Sequence, residues 1–328
     1  MFTSMLGDLK GYFGKAFVMA VWLPVGVFAS ALAVVLAPGT ALLQAIQSMW
    51  NSSNLEKASL LAIEFLLVVT LVAYMLQQLQ VPVTQFFEGY WEGWPILNLW
   101  GAWKKKSCAK ALQTLNERID YLDEQIPLAE KEGGAAGALR VELSRLAEKR
   151  LLGFPLPGDE AHLMPTRLGN IYKAAELYPY RRYGIDAVIF WPRLHGFISA
   201  ELLDRLQETK IAIDFLLLSG VLAEAFSVIC LPTLLLRGAS WQLCLLSALG
   251  LPLGWLAYRL ALTPALTYGE LIKTSFDLHR RALLQSFGLD LPAEPTREKQ
   301  VWLDLGNFIF RNTELPAGIV YSGTSKPK

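Results

Sequence analysis

The sequence predicts an all-α integral membrane protein: four transmembrane helices in two hairpins, plus a helical cytoplasmic insert with an antiparallel coiled-coil-like arm. Three observations predict it. Hydrophobic residues make up 53% of the 328-residue chain, and they are gathered into runs rather than spread evenly. Four of those runs match the roughly 20 apolar residues a helix needs to cross about 30 Å of hydrocarbon. Lys and Arg crowd the segments on one side of the runs, which sets an orientation.

Residues 1–80 form the first hairpin, with spans at about 16–37 ("AFVMAVWLPVGVFASALAVVLA") and 58–76 ("ASLLAIEFLLVVTLVAYML"). The first run is too long for a signal-peptide core, contains Pro24 and lacks a clean small-residue cleavage site, so it reads as an uncleaved span. Residues 38–57 form a short outer loop, with turn signals at Pro38-Gly39 and "NSSN". Asn51-Ser52-Ser53 is a glycosylation sequon that matters only in a eukaryotic host. Residues 211–268 form the second hairpin, with spans at about 211–236 and 241–266. A soluble bundle of four such helices would need a covering layer that the rest of the chain does not supply. Lys10, Lys15, the middle segment and Arg280-Arg281 share the basic side, whereas the short loops carry only Lys57 and Arg237. Both termini and the middle segment are therefore expected on the cytoplasmic face of an inner membrane.

The elements between the hairpins follow in order. Residues 81–106 hold Trp91, Trp94, Trp100 and Trp103 and end in Lys104, Lys105 and Lys106. Aromatic belts and snorkelling lysines mark a membrane–water interface, so these residues read as interfacial anchors. Residues 107–152 form the arm: Leu112, Leu115, Ile119, Leu122 and Ile126 follow 3-4-3-4 spacing, "EGGAAGA" makes the turn, and Leu139, Leu143 and Leu146 resume the pattern. "GFPLPGDE" cannot continue a helix and ends the arm. Residues 153–210 are rich in Arg and Tyr and lead back to the third span. In the tail, 269–328, Leu271, Phe276, Leu283 and Phe287 mark one apolar helix face. A second amphipathic helix follows, capped by Thr296, and the polar end from Ser322 reads as disordered. "AYMLQQLQVPVTQFFEG" faintly echoes "AYRLALTPALTYGE", as a duplicated hairpin or as chance.

Chemistry-bearing residues are few. Glu64, Asp214, Glu224 and Arg259 lie within the apparent spans, where charges usually face a partner or water. They read either as a pore lining or as a lock holding the bundle together, with Arg259 the obvious counter-ion. Pro24, Pro232, Pro252 and Pro264 add kinks that suit gates or ordinary packing. Arg167, Arg181, Arg182 and Arg193 stand among tyrosines and a tryptophan. They could bind an anionic ligand or lipid headgroup, or pack the cytoplasmic domain onto the inner leaflet and position the third span. No nucleophile–base pairing, phosphate loop or metal spacing appears: His162 and His195 stand far apart, and Cys108, Cys230 and Cys244 are scattered. No catalytic residue, metal or cofactor is expected. The net charge of +1 implies no attraction to nucleic acid.

"TRLGNIYKAAELYPYRRYGIDAVIFWPRL", "QFFEGYWEG" and "YGELIKTSFDLHRR" resemble a group of prokaryotic multi-pass membrane proteins with no assigned function. The resemblance runs over much of the chain, implies a prokaryotic source and contributes no catalytic residue. The leading expectation is a homo-oligomeric pore, channel or transport-related assembly in the lipid bilayer, with a cytoplasmic regulatory or assembly domain. Residues 107–152 are the candidate dock for a cytosolic protein partner. The alternatives are a signalling or defence effector whose insert binds a ligand, and a membrane-bound enzyme.

Overall fold

Residues 14–36, 55–131 and 136–314 are described by the computed structural model, and every regular element among them is helical. The outer loop with Pro38, Gly39 and Asn51, together with Lys10 and the tail from Ser322, lies outside the described residues. In chain order the helices are α1 (Lys15–Leu36), α2 (Leu55–Gln77), α3 (Gln80–Glu88), α4 (Pro95–Lys131), α5 (Ala136–Gly153) and α6 (Arg167–Tyr183). They continue with α7 (Ala187–Leu194), α8 (Ala200–Leu236), α9 (Trp241–Ala248), α10 (Gly250–Ser286) and α11 (Pro295–Arg311). The chain divides into two compact units: Met1–Gln85 with Gln207–Pro264, and Phe86–Leu206 with Ala265–Lys328.

In the first unit, Phe17, Ala20, Val21 and Val25 of α1 pack on Val69 and Ala73 of α2 and on Leu218 and Leu222 of α8. A π-turn at Val18–Trp22 precedes Pro24, whose ring would otherwise press on the carbonyl of Ala20. Trp22 Nε1 donates to Thr70 Oγ1 at 3.0 Å, a polar tie between two apolar helices. The fourth apolar run, expected as one span, is broken between α9 and α10 at Leu249. Pro252 has no N–H for the Ala248 carbonyl four residues back, which weakens the helix at this point. At the break, Ser227 Oγ donates to the Ser247 carbonyl at 2.6 Å, and a Cβ on Gly250 would overlap the Ala223 carbonyl oxygen. Glycine alone admits so close a crossing.

Four helical segments are long and apolar enough to cross a membrane: Lys15–Leu36, Ser59–Gln77, Ala200–Leu236 and Trp241–Ser286. Only 11% of the apolar window in the second is buried within the structure, leaving Leu60, Leu67, Val68, Leu71 and Met75 exposed. The last two extend beyond their apolar runs. No proline interrupts "AELLDRLQETK" ahead of 211 or "YGELIKTSF" beyond 266, so helix continues where hydropathy falls.

In the second unit, α4 and α5 pair antiparallel. Arg118 bonds Glu142 at 2.8 Å, Arg140 pairs with Glu130, and Arg150 Nε donates to Asn116 at 2.9 Å, so rising numbers on one helix meet falling numbers on the other. Leu112, Leu115, Leu122 and Ile126 are buried, and Ile119, Leu139, Leu143 and Leu146 half-buried. A separate core joins Phe190 and Leu194 of α7 to Phe276 and Leu283 of α10 and Trp302 and Leu305 of α11, with Leu271 and Phe287 packed against it. Helix α11 begins one residue earlier than its expected cap: Pro295 opens it and Glu294 is the N-cap, so Thr296 lies inside the first turn. Proline's fixed φ and missing N–H suit the first helical position.

Candidate functional site

Helix α6, which carries most of the Arg/Tyr stretch, is held at both ends. Thr166 caps it by accepting from the Gly169 N–H at 3.0 Å, and its hydroxyl donates to the Glu88 carbonyl at 2.9 Å. Asn170, fully buried, donates to the Met164 and Thr166 carbonyls and accepts from the Met164 N–H, so the incoming loop cannot shift. At the other end, Gly184 adopts φ +77°, the left-handed conformation of a helix C-cap.

The polar side of α6 then meets α10 and α11. Tyr178 and Tyr183 both donate to Asp277, at 3.1 and 2.7 Å. The Arg280 guanidinium lies 4.2 Å from the Tyr183 ring centroid, donates to Glu298 Oε1 at 2.9 Å and also reaches the Asp277 carbonyl. Burial, followed by the Asp277 carboxylate, pushes both tyrosine hydroxyls above their usual range, because a phenolate there would be desolvated and repelled. Lys273, 6% exposed, donates to Glu270 at 2.7 Å and to the Leu151 carbonyl at 3.2 Å. Its ammonium stands 5.7 Å from the Tyr178 ring.

Two arginines clamp the "GFPLPGDE" loop. Arg181 pairs with buried Asp159 and donates to the Gly158 carbonyl at 2.8 Å. Arg150 donates to the Phe154 and Pro155 carbonyls, and burial works against its charge. The loop that closes the arm is thereby fixed to α6.

The four arginines singled out from sequence are not brought to one point. Arg167 and Arg181 stand at opposite ends of α6, about 21 Å apart along its axis. Arg182 lies over the Tyr178 ring at 5.9 Å, and Arg193 donates to the Ile189 carbonyl at 2.6 Å. Sequence reasoning missed Arg150, Asp159, Lys273, Asp277 and Glu298 as members of this network. Asp277 is separated from its tyrosines by 99 and 94 positions, so no local pattern marks it. Among the described residues, no group of three or more His, Cys, Asp or Glu could hold a metal.

In the first unit the charges also separate. Asp214 pairs with Lys210 one turn away, and Lys15 pairs with Glu208 at 2.8 Å, so these charges are neutralised locally. Glu224 packs on Gly254, where a Cβ would overlap its Cγ. Arg259 lies five residues beyond Gly254 on α10, about 140° round the helix, and so points away from Glu224. It sits exposed with its guanidinium 5.3 Å from the Trp255 ring. Glu64 is exposed on α2, on the side opposite buried Ala73. Among the described residues Arg259 pairs with neither acid.

The aromatic anchors divide. Trp91 is buried: its Nε1 donates to the Phe86 carbonyl at 2.7 Å, its ring stacks on Trp100 at 4.9 Å, and it packs under Gly101. Trp94, Trp100 and Trp103 are exposed, with Lys104 over the last two at 5.2 and 5.3 Å. Compared with family models, curated proteins and solved structures, the chain matches none of them.

Proposed function

We propose that this is a non-enzymatic integral membrane protein of the cytoplasmic membrane, with both termini and the second unit on the cytoplasmic side. Several copies assemble around an ion or solute path, and the second unit regulates or organises that assembly. One observation carries the reading: Glu64 and Arg259 are exposed on surfaces otherwise covered by Leu, Val and Trp. If those surfaces face lipid in a single copy, each charge costs at least about 2.5–3.5 kcal/mol. Contact with another copy, or with water between copies, removes that cost, and four spans alone enclose too little space for a generous conduit.

The network around Asp277 supports a scaffolding role for the Arg/Tyr stretch, since Arg181, Arg182 and Arg280 are already occupied by groups of the same chain. The arm is the natural regulatory or docking element, with Tyr121, Leu128 and Val141 exposed along it. Ion flux into liposomes reconstituted with the full chain tests the reading. Flux above that of empty liposomes, altered by Glu64→Gln, is expected. Purification as single copies with no flux would refute it.

A further inference from the structure

The start of α4 has a surface that nothing among the described residues covers. Ile96, Leu99 and Trp103, which are 83%, 78% and 61% exposed, follow one another at helical spacing, and the same stripe continues into Lys106 and Lys110. The opposite side is held by the rest of the unit: Gly101 lies on Trp91, Cys108 Sγ donates to the Pro165 carbonyl, and Leu112 and Leu115 are buried. The stripe is thus fixed outward by packing on the other face.

Its charge is one-sided. No Asp or Glu occurs from Pro95 to Asn116, and among the described residues Lys105, Lys106 and Lys110 form no ion pair. Apolar residues come first, an aromatic pair bridged by Lys104 follows, and free ammonium groups come last. That order matches the gradient from acyl chain through the interface to the headgroup layer. An acidic protein groove would answer the lysines but would offer no reason for the graded order.

We propose that the first turns of α4 dock on an anionic phospholipid surface, with Ile96, Leu99 and Trp103 inserted and Lys106 and Lys110 on the phosphates. This rests on the membrane reading above and adds a lipid preference to it. Each lysine near an anionic surface is worth about fivefold in partition, and the attraction falls with salt.

The test uses the full chain carrying Cys108→Ser, Cys230→Ser and Cys244→Ser, with an environment-sensitive dye on Leu99→Cys. It is reconstituted in vesicles of brominated phosphatidylcholine, with or without phosphatidylglycerol. The proposal predicts severalfold stronger quenching when phosphatidylglycerol is present, lost in high salt and in the K104Q/K105Q/K106Q/K110Q variant. Equal quenching in both vesicles, or quenching that survives the four substitutions, overturns it. So does a dye shielded from lipid and water alike, which would mean a second copy covers the face. A dye on Leu67→Cys of α2 serves as reference. If it is quenched while Leu99 is not, only the docking fails; if neither is quenched, the membrane reading falls and takes the docking with it.

Discussion

Asp277 accepts hydrogen bonds from two tyrosines while Arg280 lies against the ring of one of them, so a single carboxylate ties α10 to α6. Hydrogen bonds to a charged group are worth about 1.5–3 kcal/mol, and Asp277→Asn weakens both. The variant is expected to lose about 2–3 kcal/mol, read by denaturation in detergent. The pH dependence has a definite sign. Both tyrosines titrate above their unfolded value of about 10, so the fold is favoured below that pH and loses stability as pH rises through it. A melting series into alkali should fall for the native chain and fall less for Asp277→Asn; parallel slopes would contradict the assignment. Cys108 gives a simpler check. Burial pushes its thiol up, so alkylation at neutral pH should be slow in the folded chain and fast once it is denatured.

Between elements, the tightest approaches are made by glycine. A Cβ on Gly169 would overlap the Glu88 carbonyl oxygen, where α3 ends against α6. Backbone cannot give way as a side chain can, so Gly169→Ala is expected to cost about 1–3 kcal/mol. Gly250→Ala, against the Ala223 carbonyl, should behave alike. Loss of thermal stability checks both, and unchanged melting would show that the crossings are looser than described. In the arm, Leu122 is fully buried, and Leu122→Ala should cost about 2–5 kcal/mol and speed hydrogen exchange in α4 and α5. The pairing of α4 with α5 was legible because the apolar spacing is local and the partner follows at once in the chain. The break at Leu249 was less so: Pro252 was noted as a kink, but its place in the first turn of a new helix depends on where the previous one stops. Trp91 shows the same limit, since composition groups it with the anchors while packing under Gly101 makes it core.

At the scale of the whole molecule, four apolar runs became four helical segments able to cross a membrane, because length and composition alone decide that property. The positions of the charges within them were not legible. Whether Arg259 meets Glu224 depends on a 140° rotation about α10, and hydropathy carries no information on it. Copy number is where the residue and whole-molecule scales meet. A lone copy in lipid would gain stability from Glu64→Leu, since an exposed carboxylate becomes hydrocarbon. An assembled one would lose association, because Glu64 then lies between copies. The most direct measurement is the copy number of the full chain captured in lipid nanodiscs, native against Glu64→Leu. The account predicts several copies per disc, falling in the variant. Single copies in both, with the variant the more stable, would contradict it.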